Sequence, residues 1–186
     1  MVKPWIKEGE KRVIAEHHNK QLVFQRFIMS NGARVNWSLF HGTKRGSAVI
    51  LPITQDGYVV AIEQFKCGSN QVELELPCGN IEDKEQVLEA AARELLEETG
   101  YQTTTLIWLG NAKKMWHDTA SSTGNFYAVL ALDCVKKETQ HLDFYEDIEI
   151  RFILLEEWLR MTECGDIGDV KAIVTTHLAL RHLDRL

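Results

Sequence analysis

Three glutamates close together in the chain, Glu94, Glu97 and Glu98, stand at i, i+3 and i+4. On a helix that spacing crowds their carboxylates on one side, where bare like charges repel by roughly a few tenths of a kcal/mol per pair. Late in a helix they also face the negative end of its dipole. Helix stability alone does not select such a pattern, and a divalent cation among the carboxylates removes or reverses both penalties. The plainer alternative is a solvated acidic helix in which Arg93 makes one surface ion pair. Oxygen ligands clustered without histidine or cysteine favour a hard ion, Mg2+ or Mn2+, and such ions keep water and bind phosphates. Arg93, four residues before Glu97, can orient that carboxylate through a charged hydrogen bond. The chemistry indicated is phosphoryl chemistry.

Those side chains need elements to hold them. Residues 84–99, rich in Ala, Leu and Glu, predict a helix with Leu88, Ala91, Ala92, Leu95 and Leu96 inward, closed by Gly100 as a C-cap. Before it, QVELELP (71–77) alternates as a strand that Pro77 and Gly79 stop. SAVILPI (47–53) and YVVAIEQF (58–65) read as strands joined at Asp56-Gly57, and LVFQRFIM (22–29) and ARVNWSLF (33–40) as a hairpin across Ser30-Asn31-Gly32. TTTLIWLG (103–110), FYAVLALDCV (126–135) and IEIRFILL (148–155) predict further strands. Two helices follow, near 155–165 and from 170 onward. The expectation is an α+β fold with a mixed sheet, an amino-terminal antiparallel hairpin extension over residues 1–45 and a main domain over 46–186.

At 186 residues the chain can bury a core without disulfide or metal staples, and 45% hydrophobic with 26% charged residues excludes a disordered or collagen-like class. Cys67, Cys78, Cys134 and Cys164 have no CxxC or Cys/His metal spacing, which suggests a reduced, cytoplasmic protein. No apolar run is long enough for a membrane helix. The net charge of −6, without a basic run, argues against duplex nucleic acid as a partner. Residues 82–98 hold seven acids against two bases, so this stretch carries −5 and everything outside it sums to −1.

The segment from Gly79 to Tyr101 resembles the Nudix hydrolase signature, G-x5-E-x7-R-E-U-x-E-E-x-G-U. Gly79, Glu85, Arg93, Glu94, Leu95, Glu97, Glu98, Gly100 and Tyr101 fill its nine defined positions, with only Tyr101 departing from the usual aliphatic residue. The resemblance implies the family's alpha/beta/alpha sandwich and a metal-held diphosphate, linked to a nucleoside, that water splits into two phosphorylated products. Glu75-Leu76-Pro77-Cys78-Gly79 is similar to the E-L-P-A-G lead-in of ADP-ribose and ADP-sugar pyrophosphatases, and Glu63-Gln64-Phe65-Lys66 loosely to their R-Q-Y-R. Glu146-Asp147-Ile148-Glu149, Gly165-Asp166-Ile167 and Asp169 resemble the tail of the same group.

From this resemblance the metal ligands are Glu94, Glu97, Glu98, Glu146 and Cys78. Cys78 would act through its carbonyl, with a thiol ligand as the alternative. Arg93, Glu97 and Glu146 are implied in catalysis. Phe144 stands where those enzymes often place a glutamate base, so Asp143, Glu146, Glu97 or activation by metal alone stay open for that task. Lys66 and Trp37 are candidates for substrate contact, Trp37 as an adenine platform across a homodimer or as core of the dimer interface. Trp116, beside His117 and Asp118, lies in a polar loop and could gate the pocket, and Lys113 and Lys114 of the same loop could attract a terminal phosphate or remain solvated. The implied reaction is Mg2+- or Mn2+-dependent cleavage of ADP-ribose or an ADP-sugar to AMP and a sugar phosphate. The alternatives are another nucleotide sugar or a nucleoside triphosphate as substrate, or a catalytically weak nucleotide-binding regulator.

Overall fold

The structure, a computed structural model, describes residues 2–17, 20–42 and 45–184. The chain divides into two compact units, Met1–Gly46 with Trp116–Asn125, and Ser47–Met115 with Phe126–Leu186.

In the first unit β1 (Ile6–His17), β2 (Lys20–Ile28) and β3 (Arg34–His41) form an antiparallel sheet in that order. The expected turn joins β2 to β3, where the Asn31 side chain accepts the Ala33 N–H at 3.0 Å. β2 shows the period of two, with Val23 and Gln25 buried and Phe24 and Arg26 exposed. β1 enlarges the expected hairpin to three strands. Every β1 residue but Glu8 is exposed, so pairing with β2 rather than burial of one face makes it a strand. This unit holds nine Lys and Arg against four Asp and Glu, a net +5, which leaves −11 on the other. The −1 outside residues 82–98 therefore averages a basic unit with an acidic one.

Chain order continues with β4 (Ser47–Thr54), β5 (Tyr58–Lys66), β6 (Gln71–Glu75), β7 (Cys78–Asn80), α1 (Val87–Thr99), β8 (Tyr101–Gln102), β9 (Thr105–Trp108) and β10 (Met115–Trp116). β11 (Asn125–Lys136), β12 (Ile148–Leu154), α2 (Leu155–Cys164) and α3 (Val170–Leu183) complete it. β11 runs parallel to β4, and β5 lies antiparallel to both β4 and β12, so the sheet is mixed as predicted. Central strands covered on both faces need continuous apolar sequence, which is what Ala48–Ile53 supplies. Val49, Leu51, Ala128 and Leu130 point to one face, where they pack with Trp158 of α2 and Ala172 and Ala179 of α3. Ala48, Ile50, Val129 and Ala131 point to the other, against Ala90, Ala91 and Leu95 of α1. Burying each large aliphatic side chain contributes roughly 1.5–3 kcal/mol, and together these two cores fix α1 against the sheet.

β7 departs from the sequence reading, which ends the strand at Pro77. After that proline the chain pairs with β4, Val49 opposite Cys78 and Ala48 opposite Gly79. All four cysteines are free. Among the described residues no helix is long and apolar enough to cross a membrane.

Candidate active site

Helix α1 starts three residues later than predicted, where the Gln86 N–H donates to the Glu89 carboxylate at 2.7 Å and caps the first turn. Its buried side differs from the predicted one. Val87, Ala90, Ala91 and Leu95 are buried, Leu88 and Leu96 are half-buried, and Ala92 is exposed. The sector is turned because two carboxylates share it: Glu94 and Glu98 are only 8% and 4% exposed. The side chain of Glu97 is 41% exposed.

Each buried carboxylate meets β7. Glu98 Oε2 accepts the Cys78 N–H at 2.8 Å. Glu94 lies against Gly79, where a Cβ would stand 1.9 Å from the carboxyl carbon. The invariable need here is space rather than backbone freedom, and it explains a glycine inside a strand. Gly79→Ala is expected to push Glu94 out of place, costing roughly 1–3 kcal/mol of stability as overpacking does, together with most of the turnover. A denaturant titration beside a rate assay checks both, and an unperturbed variant would remove this role for Gly79.

Arg93 spends its whole guanidinium on the protein. Nε and one terminal nitrogen grip Glu85 at 2.9 and 3.1 Å, and the latter also donates to the Asn80 carbonyl at 2.9 Å. The other terminal nitrogen donates to Glu94 at 2.7 Å and Glu97 at 2.9 Å. It is thus a positioning residue that ties the loop before α1 to two carboxylates.

Burial among like charges raises the carboxyls. Burial lifts Glu94 to about 6, with Glu97 and Glu146 adding to the rise and Arg93 opposing it. Burial lifts Glu98 to about 8, opposed by the Cys78 N–H and Lys66 and reinforced by Glu94 and Glu146. Glu146, 48 residues beyond Glu98 in the chain, thus bears electrostatically on both. Among the described residues no three His, Cys, Asp or Glu side chains form a ready coordination set. Their donor chemistry still fits a hard cation: buried oxygens of like charge, raised in pKa chiefly by burial.

The segment after β11 closes the end of α1. The carbonyls of Leu96, Glu97, Glu98 and Thr99 accept, in turn, from Gly100 N–H at 2.7 Å, His141 N–H at 2.8 Å, Gln140 Nε2 at 2.7 Å and Lys136 Nζ at 2.9 Å. Gly100 has φ +70°, and a Cβ there would meet the Glu138 carbonyl oxygen at 2.1 Å. Beyond it Asp143 and Glu146 close a turn, Glu146 N–H to the Asp143 carbonyl at 3.0 Å and Asp143 N–H to the Glu146 carboxylate at 2.9 Å. Phe144 and Tyr145 form its tip.

The other predicted residues fall as follows. The Cys78 sulfur packs into the core shared with α2 and α3 and lies 3.9 Å from Lys171 Nζ, while burial raises its thiol. Its main chain, not its sulfur, reaches the carboxylates through Glu98. Lys66 Nζ pairs with Glu75 at 2.9 Å and donates to Gln64 at 2.6 Å. Trp37 belongs to the first unit, where its indole N–H donates to the Ala120 carbonyl at 2.8 Å and its ring meets Trp5 edge-on. The loop of Trp116, His117 and Asp118 groups with that unit as well, and Asp118 serves its turn by accepting the Ala120 N–H at 2.8 Å. Sequence reasoning missed Lys171 and Gln140, single long-range contacts that no periodicity marks.

The NUDIX domain family matches residues 43–173. The ADP-ribose pyrophosphatase of Bacillus subtilis (strain 168) is 31% identical over 133 residues, 68% of this chain and 67% of its own length. The methanol dehydrogenase activator of Bacillus methanolicus is 27% identical over 149 residues, 74% and 76% of the two chains. ADP compounds hydrolase NudE of Escherichia coli (strain K12) is 36% identical over 80 residues, 43% and 42%. The crystal structure of an ADP compounds hydrolase shares the fold with a TM-score of 0.85 at 23% identity, covering 99% of this chain and 96% of that one.

Proposed function

The chain belongs to the Nudix hydrolase family, and on that premise we propose that it hydrolyses the diphosphate bond of an ADP-linked compound, with ADP-ribose or an ADP-sugar favoured. The products would be AMP and a sugar phosphate. The observation that supports this reading is the pair of buried carboxylates, Glu94 tied with Glu97 by Arg93 and Glu98 held by the Cys78 N–H. The relatives named for ADP-ribose and for ADP compounds support the choice of substrate.

Glu94, Glu97, Glu98, Glu146 and the Cys78 main chain would hold Mg2+ or Mn2+, which supplies charge neutralisation at phosphate oxygens and a more acidic water. Arg93 fixes the directions of Glu94 and Glu97. Glu97, more open than Glu94 and Glu98, would take the proton of the attacking water, with Glu146 the second candidate. Lys66, part-exposed beside Glu75, would meet a phosphate oxygen.

The test is incubation with Mg2+ and ADP-ribose, ADP-glucose, GDP-mannose, UDP-glucose and nucleoside triphosphates, with products identified by mass. AMP plus a sugar phosphate is the expected result. Turnover confined to another nucleotide sugar or a triphosphate would move the substrate, and tight Mg2+-dependent binding without turnover would replace catalysis by a regulatory role.

The first unit exposes Ile6, Val13, Ile14, Phe24 and Phe40 on a thin sheet, which supports self-association as a homodimer. Trp37, whose indole N–H is engaged by Ala120 and whose ring meets Trp5, would serve such a dimer as an adenine platform or as core of its interface. Sedimentation at working concentrations is expected to give the dimer mass, and a monodisperse monomer would remove this role.

A further inference from the structure

Beside the β4–β5 turn the second unit has an open cavity of about 440 Å3, a size that holds small molecules. The described residues that line it include no box carboxylate and not Glu146. Three rings reach it from three strands, Tyr58 of β5, Tyr101 of β8 and Phe152 of β12. Phe152 stands opposite Val60, two residues from Tyr58, so both rings lie on one face of the β5–β12 pair. They are 52% and 38% exposed. The rings of Phe152 and Tyr101 are 5.8 Å apart and tilted by 58°. Tyr101 is also the one signature position filled by an aromatic in place of an aliphatic residue. The backbone bends to complete this wall: between Ala131 and Cys134 β11 holds one residue more than β4 beside it, and Asp133 in that bulge has φ +54°. Cys134, Val135 and Lys136, all past the bulge, line the cavity, and Lys136 stands directly opposite Tyr101.

We propose that this cavity is a second binding site, apart from the carboxylate cluster, and that it takes a neutral nucleoside. Charge separates the classes of ligand. Lys136 Nζ donates to the Thr99 carbonyl at 2.9 Å and lies 5.3 Å from the centroid of the Tyr101 ring. Its charge is thus committed to a ring face and to the carbonyl end of α1, where the helix dipole disfavours an anion. Asp56 is the one acid among the described lining residues and formally balances it. A phosphate would meet both Asp56 and the end of α1, and an organic cation would compete with Lys136 for the rings. A neutral planar ring meets neither penalty and can stack on Tyr58 and Phe152, as any base can on an aromatic side chain. The Asp56 carboxylate and the Gln55 amide suit ribose hydroxyls and exocyclic N–H groups, which a plain hydrocarbon ring lacks.

Base stacking on an aromatic side chain is worth about 5- to 150-fold in affinity per base. The test is calorimetric titration of wild type, Phe152→Ala, Tyr58→Ala and Phe152→Tyr with adenosine, AMP and ribose, all in EDTA so that the box carboxylates hold no cation. Wild type is expected to bind adenosine, to bind AMP no more tightly, and to leave ribose unbound. Each alanine variant should weaken adenosine within that range, and Phe152→Tyr should keep it. Melting curves show whether the variants fold. Amide exchange on wild type needs no variant: adenosine should slow exchange at Tyr101, Gln102, Val135 and Lys136. Absence of adenosine binding in EDTA, binding indifferent to both alanine variants, or protection that spares those four amides would overturn the inference. AMP binding clearly tighter than adenosine would overturn the neutral class. Neither readout involves turnover, so a failure of the hydrolytic reading leaves the outcome of this test unchanged.

Discussion

Glu98→Gln is expected to lose more than the roughly 10–100-fold in turnover that removing a ligand's supporting partner costs, and at the same time to make the metal-free protein more stable at pH 8. The two effects have one origin. Burial holds the Glu98 carboxyl at about 8, whereas in the unfolded chain it titrates near the ordinary glutamate value of 4.5. A group raised on folding contributes stability below its unfolded value and loses it as the pH climbs through its folded value. For wild type the Glu98 contribution is therefore full below pH 4.5 and drains away up to about pH 8. Glutamine carries no charge at any pH, and its oxygen can still accept the Cys78 N–H. The variant's advantage should grow across that window to the order of a few kcal/mol. Mg2+ should stabilise wild type more at pH 8 than at pH 5 and should barely move the variant. Calorimetry at both pH values, with and without Mg2+, reads the stability; near-wild-type turnover with a cognate substrate would sink the assignment of Glu98 as a metal ligand.

Arg93→Lys should be the most destabilising conservative change in this region. The guanidinium makes hydrogen bonds to three carboxylates and one carbonyl, and the side chains of Glu85 and Glu94 that it serves are only 14% and 11% exposed. An ammonium offers a point charge and cannot reproduce the two-pronged grip on Glu85. Breaking a buried ion pair from one side costs about 3–5 kcal/mol, and partial replacement of the charge by lysine should hold the loss at or below that range. Turnover should fall with it, since Glu94 and Glu97 lose the nitrogen that sets their directions. A denaturation midpoint equal to wild type would show that Arg93 does not hold the carboxylates.

The box was legible because its residues are tied to chemistry at short range. Glu94, Glu97, Glu98 and Arg93 share one helix, and the requirement for Gly79 and Gly100 is visible as two small residues at the ends of the loop-helix segment. The orientation of α1 was not legible. Counting apolar residues assumes that glutamates face solvent, and here Glu94 and Glu98 occupy the buried sector that Ala92 was expected to share. β7 escaped for a related reason. Gly79 reads as a strand breaker when its missing side chain is in fact the space that Glu94 fills. β1 escaped because its twelve residues have no buried face to produce an alternation, and only β2 makes them a strand. Net charge misled by averaging, since +5 and −11 in two units give the same −6 as a mild general acidity.

The four carbonyls that end α1 are closed partly by its own glycine and otherwise by three residues of one following segment, Lys136, Gln140 and His141. A helix end usually frays by itself, at little free-energy cost. This one cannot fray without tearing the segment away, and the segment cannot swing out without uncapping the helix. The last turn of α1, which carries Glu97 and Glu98, and the stretch leading to Glu146 thus form one cooperative opening unit. Their amide protons should exchange with solvent at a common rate, and carboxylates far apart in the chain are kept in mutual register by that shared event.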